Sequence, residues 1–254
     1  HEQLPEAYRR AMARGARRFG LHTMVISNER NYRSMVQTVQ MLLELVESLT
    51  AELGIRFEFI NMGGGLGIPY RPEDPPLDLA ALGAEVTGMF RNFRGRHGYA
   101  PRLSMESGRF MTGPHGALVV TAINRKDIYR TYIGVDACMS ALMRPGMYGA
   151  YHHITVPAKA GRPTAGPVDV VGSLCENNDK FAVQRELPAI VDGDLLVIHD
   201  TGAHGHAMGF NYNGKLRPME LLLRADGSVE LVRRAETYQD LFATLTYAPD
   251  VLAG

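Results

Sequence analysis

Residues 57–70, FEFINMGGGLGIPY, constrain the fold more than any other part of the chain. Phe57 and Phe59 alternate with Glu58 up to Ile60, the period of a strand, and the chain then breaks into Gly63, Gly64, Gly65 and Gly67. A strand that ends in glycines makes a backbone-lined pocket. Glycine reaches positive φ and has no Cβ, so several N–H groups can converge on an anion, and phosphate is the anion such a loop suits best. Taken alone, GGGLG reads equally well as a plain tight turn. It lacks the lysine of a P-loop, and its spacing is not that of a dinucleotide fingerprint.

The flanking sequence supplies the context. Residues 7–19 carry apolar residues at helical spacing among arginines, Gly20 is the expected stop, and residues 21–26 read as a buried strand. Met35, Val39, Leu42, Leu43, Val46, Leu49 and Leu53 share one face of a long helix that Asn28 or Asn31 caps and Gly54 ends. After the glycine loop, Asp78 caps a helix whose face is Leu79, Leu82, Val86, Met89, Phe90 and Phe93, and residues 102–106 form a short strand. Strand, loop, helix, strand at this spacing means βα units on a parallel sheet, with functional loops at the C-terminal ends of the strands. Beyond residue 113 the pattern changes to short strands separated by Gly, Pro and Asp, with a hairpin signal at Asp226-Gly227 and a helical pattern only at residues 236–245. The expectation is two domains, residues 1–113 of α/β type and residues 114–254 of mostly antiparallel β.

Charge excludes some partners. Lys+Arg and Asp+Glu are each 27, which offers no basic surface for nucleic acid or an anionic membrane, and no apolar run approaches a membrane span. A small molecule is the expected partner. Cys138 and Cys175 are the only cysteines, too few for a disulfide scaffold, so a reducing, cytoplasmic setting is expected. The chain starts at His1, inside what already reads as an amphipathic helix, and is expected to be a fragment or a processed piece.

GLHTMVISN (20–28), NMGGGLGIPY (61–70), ESGRF (106–110), VDACMSALMRPGMYGAYHHI (135–154), VVGSLCENNDKFA (170–182) and HDTGAHGHAMGFNYNGKLRPMELL (199–222) follow one another in an order and spacing that resembles the diaminopimelate decarboxylases. These are pyridoxal-phosphate decarboxylases with an alanine-racemase-like barrel. The resemblance implies the C-terminal half of a (β/α)8 barrel that binds pyridoxal 5'-phosphate, followed by a β domain, in a homodimer with shared active sites. It also implies the reaction, decarboxylation of meso-2,6-diaminopimelate to L-lysine.

A pyridoxal cofactor needs a phosphate anchor, a partner for its ring nitrogen, and groups for the substrate's carboxylates. By resemblance, Gly63, Gly64, Gly65 and Gly67 anchor the phosphate with the hydroxyl of Ser27, and Tyr212 stands at the same phosphate. Glu106 matches the glutamate that keeps the ring nitrogen protonated and makes the ring an electron sink. Arg109, Arg144 and Tyr148 match the substrate-carboxylate binders, and an arginine fork suits that task. Cys175 matches a proton donor and Glu176 an acceptor for the distal ammonium.

Cys138 reads as a packing residue. His199, His204 and His206 cluster beside Asp200, but their spacing fits no zinc signature, so no metal is expected. Two features depart from the family pattern. Where the family places a histidine against the cofactor ring, this chain has Met24, so either its thioether packs there or His22, two residues earlier, takes over. The family's Schiff-base lysine lies in a barrel strand upstream of this sequence, and Lys126, Lys159, Lys180 and Lys215 sit in no matching motif. Alternative readings are a sister decarboxylase acting on ornithine, arginine or a carboxylated polyamine, and a non-catalytic homologue that binds a partner.

Overall fold

The computed structural model describes residues 3–246. The first helix, α1 (Gln3–Ala13), turns Leu4, Tyr8 and Met12, four residues apart, onto the core. It ends ahead of Gly15, whose φ of 93° breaks the helical path, and not at Gly20 as the sequence suggested. Gly20 lies inside strand β1 (Phe19–His22), where a Cβ would run into the ring of Phe59. Phe19 and Leu21 alternate into the core from that strand, so its period of two prevails over the helical pattern before it.

Helix α2 (Tyr32–Leu53) buries Met35, Val39, Leu42, Leu43, Val46 and Leu49. Asn31 caps its first turn by accepting from the N–H of Arg33, and Gly54 closes it at a φ of 66°. Strand β2 (Phe57–Asn61) follows, then α3 (Leu79–His97), capped by Asp78 through the N–H of Ala81 and stopped at Gly98. Strand β3 (Arg102–Ser104) and a short helix α4 (Gly108–Thr112) complete this part. The three strands form a parallel sheet in the order β1-β2-β3, with His22 beside Asn61 and Asn61 beside Ser104. All three strands therefore end at one edge, and the loops that leave them start as neighbours.

The chain divides into two compact units, His1–Pro114 and His115–Gly254. The second contains β4 (Leu118–Asp127), β5 (Thr131–Val135), α5 (Arg144–Tyr148), β6 (Ile154–Thr155), β7 (Pro167–Val171), β8 (Lys180–Glu186), β9 (Leu195–Ile198), β10 (Glu220–Leu223), β11 (Val229–Arg233) and α6 (Tyr238–Leu241). Six strands form one sheet in the order β6-β9-β4-β5-β7-β8, antiparallel except for the β5–β7 pair. Its core is Val120, Ile133, Val135, Val170, Phe181, Leu196 and Ile198. Strands β10 and β11 make a separate hairpin, closed at Asp226-Gly227 with Gly227 at a φ of 84°. The helical pattern at residues 236–245 yields only the four residues of α6, held by a capping box of Thr237 and Asp240. The architecture is thus an α/β unit with a parallel sheet followed by a mostly antiparallel β unit. No described helix is long and apolar enough to cross a membrane.

Candidate active site

Three loops meet at the C-terminal edge of the parallel sheet. The glycine loop after β2 is woven to the loop after β1: Glu29 N–H donates to Gly65 O at 2.9 Å, and Gly67 N–H donates to Glu29 O at 2.8 Å. It is tied to the loop after β3 by the Glu106 N–H, 2.9 Å from Gly63 O. A Cβ at Gly64 would come within 2.6 Å of Glu106 O, and one at Gly65 within 2.6 Å of Ile26 O. Gly63 and Gly65 also sit at φ of 71° and 102°. The glycines are thus demanded twice, by left-handed backbone and by close approach of the neighbouring loops. Among the described residues the amides of Gly65 and Leu66 donate to no protein acceptor. Ser27 is exposed on the facing loop.

Glu106 is exposed beside this loop. Its Oε1 accepts from Asn61 Nδ2 at 2.7 Å and lies 3.6 Å from His22 Nε2. Asn61 carried no role in the sequence reading. The signal was its place as the last strand residue before the glycines, two positions ahead of Gly63. Met24, half exposed, rests its Sδ 3.2 Å from the Gly64 N–H, so it lies on the glycine loop while His22 stands next to Glu106. Arg109, in the first turn of α4, is held with its guanidinium 5.7 Å from the ring centre of buried Tyr70.

The second unit gathers the remaining expected residues. Arg144 opens α5 and is only 7% exposed, while Tyr148, one turn later, is 63% exposed. The Nη1 of Arg144 lies 2.8 Å from Nε2 of His152, which is fully buried. Nδ1 of His152 faces the carbonyl oxygen of His199 at 2.8 Å, so Nδ1 carries the proton and Nε2 offers its lone pair to the guanidinium. Helix α5 presses on the loop that holds Cys175: a Cβ at Gly146 would collide with the carbonyl oxygen of Asn178.

That loop is clamped from within. Buried Asp179 accepts from Met139 N–H at 2.6 Å and from Leu174 N–H at 2.7 Å. Burial pushes its carboxyl above the usual carboxylate range, against the lowering effect of those two amide bonds. Glu176 turns back on the same loop, accepting from the Asn178 N–H at 3.0 Å. Cys175 is exposed, and its Sγ lies 3.4 Å from Nδ2 of Asn213. Asn213 holds a left-handed φ of 51° and follows Tyr212, itself half exposed. Arg144, Tyr148, Cys175, Glu176 and Tyr212 therefore belong to connected elements of this unit. Cys138 is buried with its Sγ 2.9 Å from Ser140 Oγ. The histidines are engaged separately: His199 Nε2 pairs with Thr155 Oγ1 at 2.8 Å, and His206 Nδ1 with Arg217 at 2.6 Å. Among the described residues no three His, Cys, Asp or Glu side chains are grouped to hold a metal ion.

Residues 23–202 match the family model described as the C-terminal sheet domain of pyridoxal-dependent decarboxylases. The chain belongs to that family. Protein TabA of Pseudomonas amygdali pv. tabaci is 51% identical over 97% of this chain and 58% of its own length. A diaminopimelate decarboxylase of Methanothermobacter thermautotrophicus is 38% identical over 94% of this chain and 56% of its own length. Among solved structures, diaminopimelate decarboxylase from M. jannaschii in complex with L-lysine superposes with a TM-score of 0.79 at 33% identity, covering 91% of this chain and 52% of that one. The chain spans about half the length of the curated relatives it matches.

The family's cofactor is pyridoxal phosphate, and the residues at the sheet edge fit it. Two amides with no protein acceptor suit a phosphate, and an exposed carboxylate on the neighbouring loop, that of Glu106, whose backbone N–H donates to Gly63 O, suits a ring nitrogen.

The collision at Gly146 yields a prediction. Gly146→Ala should destabilise the protein by about 1–3 kcal/mol, because the obstacle is backbone and cannot rotate away. It should also raise the rate at which Cys175 is alkylated. Thermal unfolding and iodoacetamide labelling measure the two effects, and an unchanged melting temperature with unchanged labelling would disprove the contact.

Proposed function

We propose that the chain is the C-terminal portion of a diaminopimelate decarboxylase, with residues 1–113 forming part of a (β/α)8 barrel and residues 114–254 a β domain that contributes to a dimer and to the active site. The observation that carries this reading is the exposed carboxylate of Glu106, tied through Asn61 to the glycine loop, in a chain of the pyridoxal-dependent decarboxylase family.

Bound pyridoxal phosphate supplies an electron sink for the bond that loses carbon dioxide. The residues of the chain do the rest. Amides of the glycine loop, with Ser27 and Tyr212, hold the phosphate. Glu106 keeps a proton on the ring nitrogen by its negative charge. Arg109, Arg144 and Tyr148 bind the substrate carboxylate remote from the reacting carbon, and Glu176 accepts the distal ammonium. Cys175 then delivers a proton to the carbon that has lost its carboxylate. The cysteine and Glu176 serve the site of a partner subunit in a homodimer, where a cover from the second chain excludes water.

Three outcomes test this in the full-length protein. Glu106→Gln should retain cofactor, followed by its absorbance band, while turnover falls by at least roughly a hundredfold. Undiminished turnover would remove Glu106 from the ring-nitrogen role. Meso-diaminopimelate should be preferred to ornithine or lysine by roughly a hundredfold in kcat/KM, since those substrates lack the carboxylate that the arginines bind. Equal rates on ornithine would transfer the enzyme to the polyamine branch. Mixing inactive Glu106→Gln and Cys175→Ala proteins under proven subunit exchange should restore activity, because one site of the mixed dimer regains both residues. No recovery would show that the cysteine is not shared between chains.

A further inference from the structure

Strand β2 is the middle strand of the parallel sheet, and its last residue, Asn61, pairs in register with His22 on one side and Ser104 on the other. Its amide is divided between two partners. Oδ1 accepts from the N–H of Gly63 at 2.9 Å, and Nδ2 donates to Oε1 of Glu106 at 2.7 Å. The assignment is forced, because only the oxygen can accept from an N–H and only the nitrogen can donate to a carboxylate. The Glu106 N–H closes a ring of contacts by donating to Gly63 O at 2.9 Å.

Both side chains near the carboxylate address the same atom. Asn61 Nδ2 bonds to Oε1, and His22 Nε2 lies 3.6 Å from that oxygen. Among the described residues Oε2 has no hydrogen-bond partner. An exposed glutamate on a loop would otherwise sample several rotamers, and a hydrogen bond to its charged group selects one.

We propose that Asn61 is the positioning residue of the cofactor site: one half of its amide fixes the first turn of the glycine loop, and the other turns Glu106 so that Oε2 faces the ring nitrogen. The phosphate anchor and the ring-nitrogen partner are thereby set at one spacing by a single side chain. This rests on the reading that Glu106 serves the ring nitrogen.

The test is a double-mutant cycle in the full-length protein, with two readouts, the pyridoxal phosphate dissociation constant and kcat. Asn61→Ala should weaken cofactor binding and lower kcat, each about tenfold or more, as expected for losing a hydrogen bond to a charged group. Asn61→Asp keeps an oxygen for the Gly63 N–H but sets a second carboxylate against Glu106, so it should recover cofactor affinity without recovering kcat. In the Glu106→Gln background, Asn61→Ala should lower kcat by less than about threefold, because its effect passes through Glu106. The same tenfold loss in both backgrounds would overturn the positioning role, as would equal cofactor affinities for the Ala and Asp variants. Wild-type kcat in Glu106→Gln alone would instead overturn the ring-nitrogen reading on which the proposal stands. Should Asn61→Ala not fold, the isosteric Asn61→Asp combined with Glu106→Gln carries the same cycle.

Discussion

Backbone contact between the loops at the C-terminal edge of the parallel sheet is the constraint on which the first unit depends. Three strands of nearly equal end point deliver three chain segments to one place, and those segments bond to each other through main-chain groups. Side chains on the glycine loop would separate them. Because the packed atoms are backbone oxygens of residues 26 and 106, no rotamer change could relieve the overlap. Among the described residues the same arrangement aims the unbonded amides of Gly65 and Leu66 at no protein group, so the stretch that demands glycine for packing also offers donors that suit an anion.

That coincidence explains how legible the chain was. The capped helices, the glycine loop and the parallel order of the strands follow from short-range rules: Asn28 or Asn31 and Asp78 as N-caps, of which the structure uses Asn31 for α2 and Asp78 for α3, Gly54 as a left-handed stop, and alternation in residues 57–60. What failed was where two periods overlapped. Residues 16–22 continue the arginine-rich pattern of α1, yet Phe19 and Leu21 gain more by burial beside β2 than by extending a helix past Gly15. Strand β8 lacks a clean period of two, because Gln184, at a φ of 48°, breaks its alternation, and the buried carboxylate of Asp169 that accepts the Gln184 N–H belongs to another strand. Among candidate site residues, Glu106 and Cys175 are chemically distinctive within their motifs, whereas Asn61 is marked only by its place two positions ahead of Gly63, and its contact with Glu106 follows from register.

The second unit uses buried polar groups where the first uses missing side chains. Asp179 draws the segments at Met139 and Leu174 together, and a carboxylate buried with two amide donors is worth its desolvation only while both remain in place. Gly172 has no side chain to obstruct it, since a Cβ there would strike the Asp179 carboxylate. The loop bearing Cys175 is therefore anchored at the residue just past its tip, and the exposed thiol is left to the amide of Asn213. An exposed group on an anchored loop has its position fixed by the anchor while its access is preserved.

Arg144 and Glu106 differ in exposure but are each oriented by a neutral neighbour. Arg144 is withdrawn from water and oriented by the lone pair of a neutral imidazole, whose own tautomer is set by the His199 carbonyl. An imidazole acceptor directs a guanidinium without itself adding the negative charge that a carboxylate in its place would bring. Glu106 is oriented by a comparable neutral donor, the amide of Asn61, and stays exposed. In both places a neutral side chain contributes to setting the direction of an ionic group. A structural ion pair would instead consume the charge it positions, as Arg18 and Glu58 do with a two-pronged contact at 2.8 Å on the surface. Orientation by a neutral neighbour, His152 for Arg144 and Asn61 for Glu106, is thus geometrically distinct from such a two-pronged pair.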